Sequence, residues 1–281
     1  MLKQRVLTAL VLLAILLPAV FYPRVEAFGV VALVLISAGA WEWAKLNQSG
    51  TLVSLGWGGL CAAACLASWL AGLTHANLHI LWVLVGGAWV IAGTWLLKGG
   101  VDTWQRVPRH ARLLGGLCAL WVAWLAVIQA RILGNNFLFS TLMLVWAADV
   151  FAYFAGRTFG GRLFSRKLAP SISPGKTWEG VLGGLVGVVV LAFVWVYLDA
   201  SSGVKDVSLY TRMSAVHPLF MILAILFLAM MSVVGDLVES LFKRSAGVKD
   251  SSGLLPGHGG VLDRVDALLP ILPLALGLSS L

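Results

Sequence analysis

Long, unbroken apolar runs constrain this chain more than anything else in it. Residues 6–22 read VLTALVLLAILLPAVFY, and runs of similar length and character recur almost to the C-terminus. A bilayer hydrocarbon core of about 30 Å needs about 20 apolar residues in a helix, whereas a barrel strand alternates apolar and polar residues over about 10 positions. The runs here are continuous, so the expected class is all-α: a polytopic integral membrane helical bundle. About nine transmembrane helices are expected, near residues 6–22, 25–46, 52–73, 78–97, 113–133, 136–155, 178–198, 215–236 and 261–280. The ninth is the weakest, because Asp263, Arg264 and Asp266 open it. Of the 281 residues, 60% are hydrophobic and only 11% charged, against roughly 25% charged in soluble domains.

The opening MLKQR resembles the basic start of a secretory leader, but the apolar run behind it is longer than a leader's, so it reads as the first span. Cys61, Cys65 and Cys118 lie inside apolar runs and read as small buried hydrophobes, with no metal-binding spacing. If the N-terminus is cytoplasmic and nine spans alternate, every one of the 20 Lys and Arg residues except Arg24, Arg131, Lys205 and Arg212 falls on the cytoplasmic side. Cytoplasmic loops are enriched in Lys and Arg, so this orientation is favoured, with the C-terminus outside. The topology also accounts for the net charge of +8 without a nucleic-acid partner. The expected division is 1–112, N-terminal helices, and 113–281, a C-terminal catalytic region. The loop 98–112, KGGVDTWQRVPRHAR, reads as a topological signal touching anionic headgroups.

The chemistry-bearing residues lie in the second half. Asp149, Tyr153 and Arg157 fall at i, i+4 and i+8 on one helical face. An ionisable group inside a span faces a partner or an aqueous cavity, so this face reads either as an Asp–Arg pair or as a cavity rim. In SISPGKTWEG (171–180) the spacing excludes a Walker loop, because Pro170 stands where the first glycine belongs. It reads instead as a helix start, with Thr177 as cap and Glu179 in the first turn. Lys176 beside free N–H groups suits a phosphate. Asp236, Glu239, Ser240 and Lys243 form one polar stripe at i, i+3, i+4 and i+7, followed by Arg244 and Lys249. His258 lies between glycines in PGHGG, and Asp263 with Arg264 follows. Hard cations such as Mg2+ prefer carboxylates and phosphates, and phosphoryl or nucleotidyl transfer depends on positioning and charge neutralisation. Asp236 and Asp263 therefore read as cation ligands. Lys176, Lys243, Arg244 and Lys249 read as phosphate binders.

The order Ser240-x-x-Lys243-Arg244, Lys249-Asp250, Pro256-x-His258-Gly259-Gly260-x-x-Asp263-Arg264 resembles the signature of the phosphatidate cytidylyltransferases, also called CDP-diacylglycerol synthases. Asp149-x-x-x-Tyr153-x-x-Gly156-Arg157 and Ser173-Pro174-Gly175-Lys176-Thr177-Trp178-Glu179-Gly180 resemble the same family, with Gly175 where many members carry a second lysine. The motif-level resemblance spans about residues 145–266. It implies condensation of CTP with phosphatidic acid to give CDP-diacylglycerol and pyrophosphate, with Mg2+ and a monovalent ion such as K+. It also implies an all-helical homodimer in the bacterial-type inner membrane. Asp236, Asp263 and Lys243 would then be catalytic. Asp149 and Glu239 are further candidate metal ligands. Arg157, Lys176, Thr177, Ser240, Arg244, Lys249, His258 and Arg264 are the candidate substrate contacts. Two other readings stand beside this one: an ion-coupled transporter, and a CTP-dependent lipid kinase.

Overall fold

The computed structural model describes residues 2–280, with side chains from Lys3 onward. Eight helices are long and apolar enough to cross a bilayer. They are α1 (Leu2–Phe21), α2 (Val25–Leu46), α3 (Thr51–Leu70), α4 (His79–Arg106), α5 (Arg109–Leu133), α6 (Asn135–Phe159), α7 (Trp178–Ser202) and α9 (Pro218–Ser245). A short α8 (Leu209–Val216), a four-residue α10 (Leu262–Val265) and α11 (Leu268–Ser279) complete the bundle. Among the described residues the only β-pairings are two isolated bridges, Ala169 with Ser173 and Leu255 with Gly259.

The ninth expected span departs from a plain helix. At 1.5 Å per residue the 12 residues of α11 cover about 18 Å, too little for a hydrocarbon core of about 30 Å. Its residues 270–277 are buried, and it packs against α4, α5 and α9 at the bundle centre. Asp266 and Ala267, both with right-handed helical backbone angles, join it to α10, so residues 262–279 together cover about 27 Å. At the far end the Ser280 hydroxyl lies 2.6 Å from His79 Nδ1, at the start of α4.

Two other boundaries move. The expected loop 98–112 is mostly helical, because α4 continues to Arg106 across a kink at Gly100, whose φ of 66° suits glycine. The expected span 215–236 continues to Ser245, so the whole acidic and basic stripe lies on one helix. Cys61 and Cys65 are buried, as expected, but Cys118 is exposed.

Small residues set how closely the helices approach. Gly180 and Gly184 of α7 lie on α6, where a Cβ would stand 2.9 Å from the Ala152 carbonyl oxygen and 2.8 Å from that of Ala148. Close backbone approach of this kind is the common packing mode of membrane helices. Gly235 of α9 does the same against the last segment, where a Cβ would stand 2.8 Å from the Asp266 carbonyl oxygen. These contacts bring the C-terminal parts of α6 and α9 and the start of α7 together at one end of the bundle. The N-terminal part of α1 reaches the same end, where Thr8 Oγ1 donates to the Pro256 carbonyl oxygen at 2.8 Å.

Candidate active site

Two adjoining cavities occupy that end. One, of about 390 Å3, lies between α6, α7 and α9, with Asp149, Arg157, Lys176, Thr177 and Asp236 among its lining residues. The other, of about 310 Å3, is lined by Asp149, Asp236, Ser240, Lys243, Arg244, Lys249, Asp250, Asp263, Arg264 and Asp266. Asp149 and Asp236 belong to both. The structure thus draws Asp236 and Asp263, from α9 and α10, to one cavity, together with most of the basic residues singled out in the sequence.

The charged groups are matched across elements. Lys176, in the loop before α7, pairs with Asp236 of α9. Lys243 pairs with Glu239 one turn earlier and, at 2.6 Å, with Asp263. Glu239 does not line the cavity: it is buried behind Lys243 as its counter-ion. Asp263 Oδ2 accepts from Ser251 N at 2.8 Å, Ser251 Oγ at 2.7 Å and Gly260 N at 2.8 Å.

Other candidates take structural partners. Arg157 does not pair with Asp149: its guanidinium donates to the Tyr153 hydroxyl at 2.8 Å. Thr177 caps α7 by accepting from Gly180 N at 3.1 Å, as its position predicts, and still lines the first cavity. Ser240 Oγ donates to Asp236 at 3.3 Å, and Arg244 Nε to the Ile172 carbonyl oxygen at 3.2 Å. His258 lines neither cavity, and its carbonyl oxygen orients Arg264 instead.

The donor set suits a hard cation. Carboxylates of Asp149, Asp236, Asp263 and Asp266 face one small volume, and a divalent ion needs only one or two of them beside substrate phosphates and water. Among the described residues no three His, Cys, Asp or Glu side chains already stand together at coordinating distance. Lysines neutralise Asp236 and Asp263 instead.

The sequence model of the cytidylyltransferase family matches residues 3–280. The chain belongs to that family. It is 39% identical over 279 residues to the phosphatidate cytidylyltransferase of Pseudomonas aeruginosa, covering 97% of this chain and 95% of that protein. It is 36% identical over 296 residues to that of Haemophilus influenzae, covering 97% and 96%. A Bacillus subtilis protein of the same name is 39% identical over 140 residues, half of this chain. The likeness to the first two therefore extends through the N-terminal helices, well beyond the motif-bearing half.

Within this cytidylyltransferase fold, two glutamates have roles that sequence reasoning missed. Glu179 does more than open α7. Its Oε1 accepts from the N–H groups of Gly161, Leu163 and Phe164, each at 3.0 Å, and so holds the chain that leaves α6. Glu42, near the end of α2, is the second, and an acid inside the apolar run 25–46 is the signal for it in the sequence.

Proposed function

We propose that this chain condenses CTP with phosphatidic acid, giving CDP-diacylglycerol and pyrophosphate. The observation that carries this reading is the single cavity in which Asp149, Asp236, Asp263 and Asp266 meet Lys243, Arg244, Lys249 and Arg264. A phosphate oxygen of the lipid attacks the α-phosphorus of CTP. The new P–O bond forms as the bond to the β-phosphate breaks, and pyrophosphate leaves. The nucleophile is already anionic, so no strong base is needed. Lys243, Arg244, Lys249 and Arg264 bind and orient phosphates and oppose the repulsion between two anions. Lys176, Thr177 and Arg157 serve the neighbouring cavity, whose apolar walls at Ala148, Val181 and Leu185 suit the lipid. Asp236 and Asp263, with Asp149 and Asp266 beside them, would hold Mg2+, and K+ next to it. Bound there, the metal supplies charge neutralisation at the phosphates. Positive charge at this end favours a cytoplasmic orientation, where CTP is available.

Purified protein incubated with phosphatidic acid, labelled CTP and Mg2+ should yield labelled CDP-lipid and pyrophosphate. CDP with a phosphorylated lipid would mean a kinase instead. No turnover, with ion-driven solute flux in vesicles, would mean a transporter.

A further inference from the structure

Glu42 is a carboxylate outside the site with both of its oxygens engaged. It lies in α2, is fully buried, and reaches residues more than 200 positions away. Its Oε1 accepts from Ser252 Oγ at 2.5 Å and Val261 N at 2.9 Å, and its Oε2 from Leu262 N at 2.8 Å. Ser251 Oγ stands 3.2 Å from Oε2 and 2.7 Å from Asp263 Oδ2. A hydroxyl has one proton to give, and the shorter contact is the one to Asp263. The two carboxylates thus share the 251–262 segment from opposite sides: Glu42 holds it from behind, and Asp263 takes Ser251 and Gly260 from within. Gly260 fits this junction for lack of a side chain, since a Cβ there would overlap both Ser251 Oγ and the Glu42 carboxylate.

Ser252, Val261 and Leu262 flank the residues that set the position of Asp263, and among the described residues nothing else in the N-terminal half binds so many of that segment's polar groups. We infer that Glu42 is a positioning residue for the reaction: it fixes the loop that aims Asp263 at the cavity. The inference rests on the proposed role of Asp263. It makes a residue of the first four spans part of the site, although it touches no substrate. Residues that orient ligands of a metal typically matter by about 10–100-fold in metal affinity or activity.

Glu42→Gln is the direct test. An amide keeps the shape but turns one acceptor into a donor, so at least one of Ser252, Val261 and Leu262 loses its partner. Two readouts separate positioning from simple support of the fold. Hydrogen–deuterium exchange on the protein without added Mg2+ should speed up at 251–262 and stay unchanged at 161–164. In the CDP-lipid assay, the Mg2+ concentration for half-maximal rate should rise about tenfold or more, and excess Mg2+ should restore part of the rate. Ser252→Ala removes one donor at less risk to folding and should shift both readouts in the same direction by less. Unchanged exchange at 251–262 with an unchanged Mg2+ midpoint in either folded variant would overturn the inference. Were wild-type protein to make no CDP-lipid, the proposed function would fail, while the exchange arm would still decide whether Glu42 clamps the loop.

Discussion

Two polar segments meet at the active end, 160–177 and 246–261, and each is tied down by one buried glutamate. The ties differ in reach. Glu179 accepts N–H groups 15 to 18 residues upstream, so the first segment is closed by the helix it leads into. Glu42 binds groups 210 to 220 residues downstream, so the second is closed by a helix from the other end of the chain. The first segment can order itself once α6 and α7 pack. The second depends on most of the bundle being assembled. Since 246–261 leads directly into Asp263, and 160–177 carries Lys176, the two cationic–acidic pairs of the site rest on supports of unequal range.

The largest expected effect comes from the second segment. Asp263→Asn removes the charge that Lys243 neutralises and turns one of the two oxygens that accept from Lys243, Ser251 and Gly260 into a donor, and CDP-lipid formation should fall by about 10²–10³-fold, on the scale seen when one electrostatic group is lost from an active site. Activity near the parent rate in purified, folded Asp263→Asn would remove the basis for ranking this segment first. Lys176→Ala should come next, with a rise in KM for CTP and a smaller fall in rate, because Asp236 keeps Ser240 as a partner. Equal losses in activity and thermal stability would instead assign Lys176 to packing.

Glu179→Ala leaves the N–H groups of Gly161, Leu163 and Phe164 without their shared acceptor. Denaturation in detergent should show a loss of stability, with hydrogen exchange raised at 161–164 and not at 251–262. Exchange rising in both segments would mean that the supports are coupled, and the contrast would collapse. Thr177→Ala should cost about 1 kcal/mol, the usual worth of a helix cap, with turnover little changed.

Hydropathy and motif spacing made much of this protein legible. Eight of the expected spans are long helices, and Thr177 caps α7 as its position in the sequence predicts. The polar stripe of α9 lines the cavity through Asp236, Ser240 and Lys243. These are local properties: a run of apolar side chains must be helical in lipid, and residues three and four apart share a face whatever else the chain does. The pairing of Lys176 with Asp236, the retreat of Glu239 behind Lys243, the turning of Arg157 toward Tyr153, and the reach of Glu42 across the bundle were decided only by tertiary packing. Each of those contacts depends on how closely two backbones approach and at what height they cross. Glycines such as Gly180 and Gly235 set that approach jointly with the surface opposite them, and no stretch of sequence contains both sides of the contact.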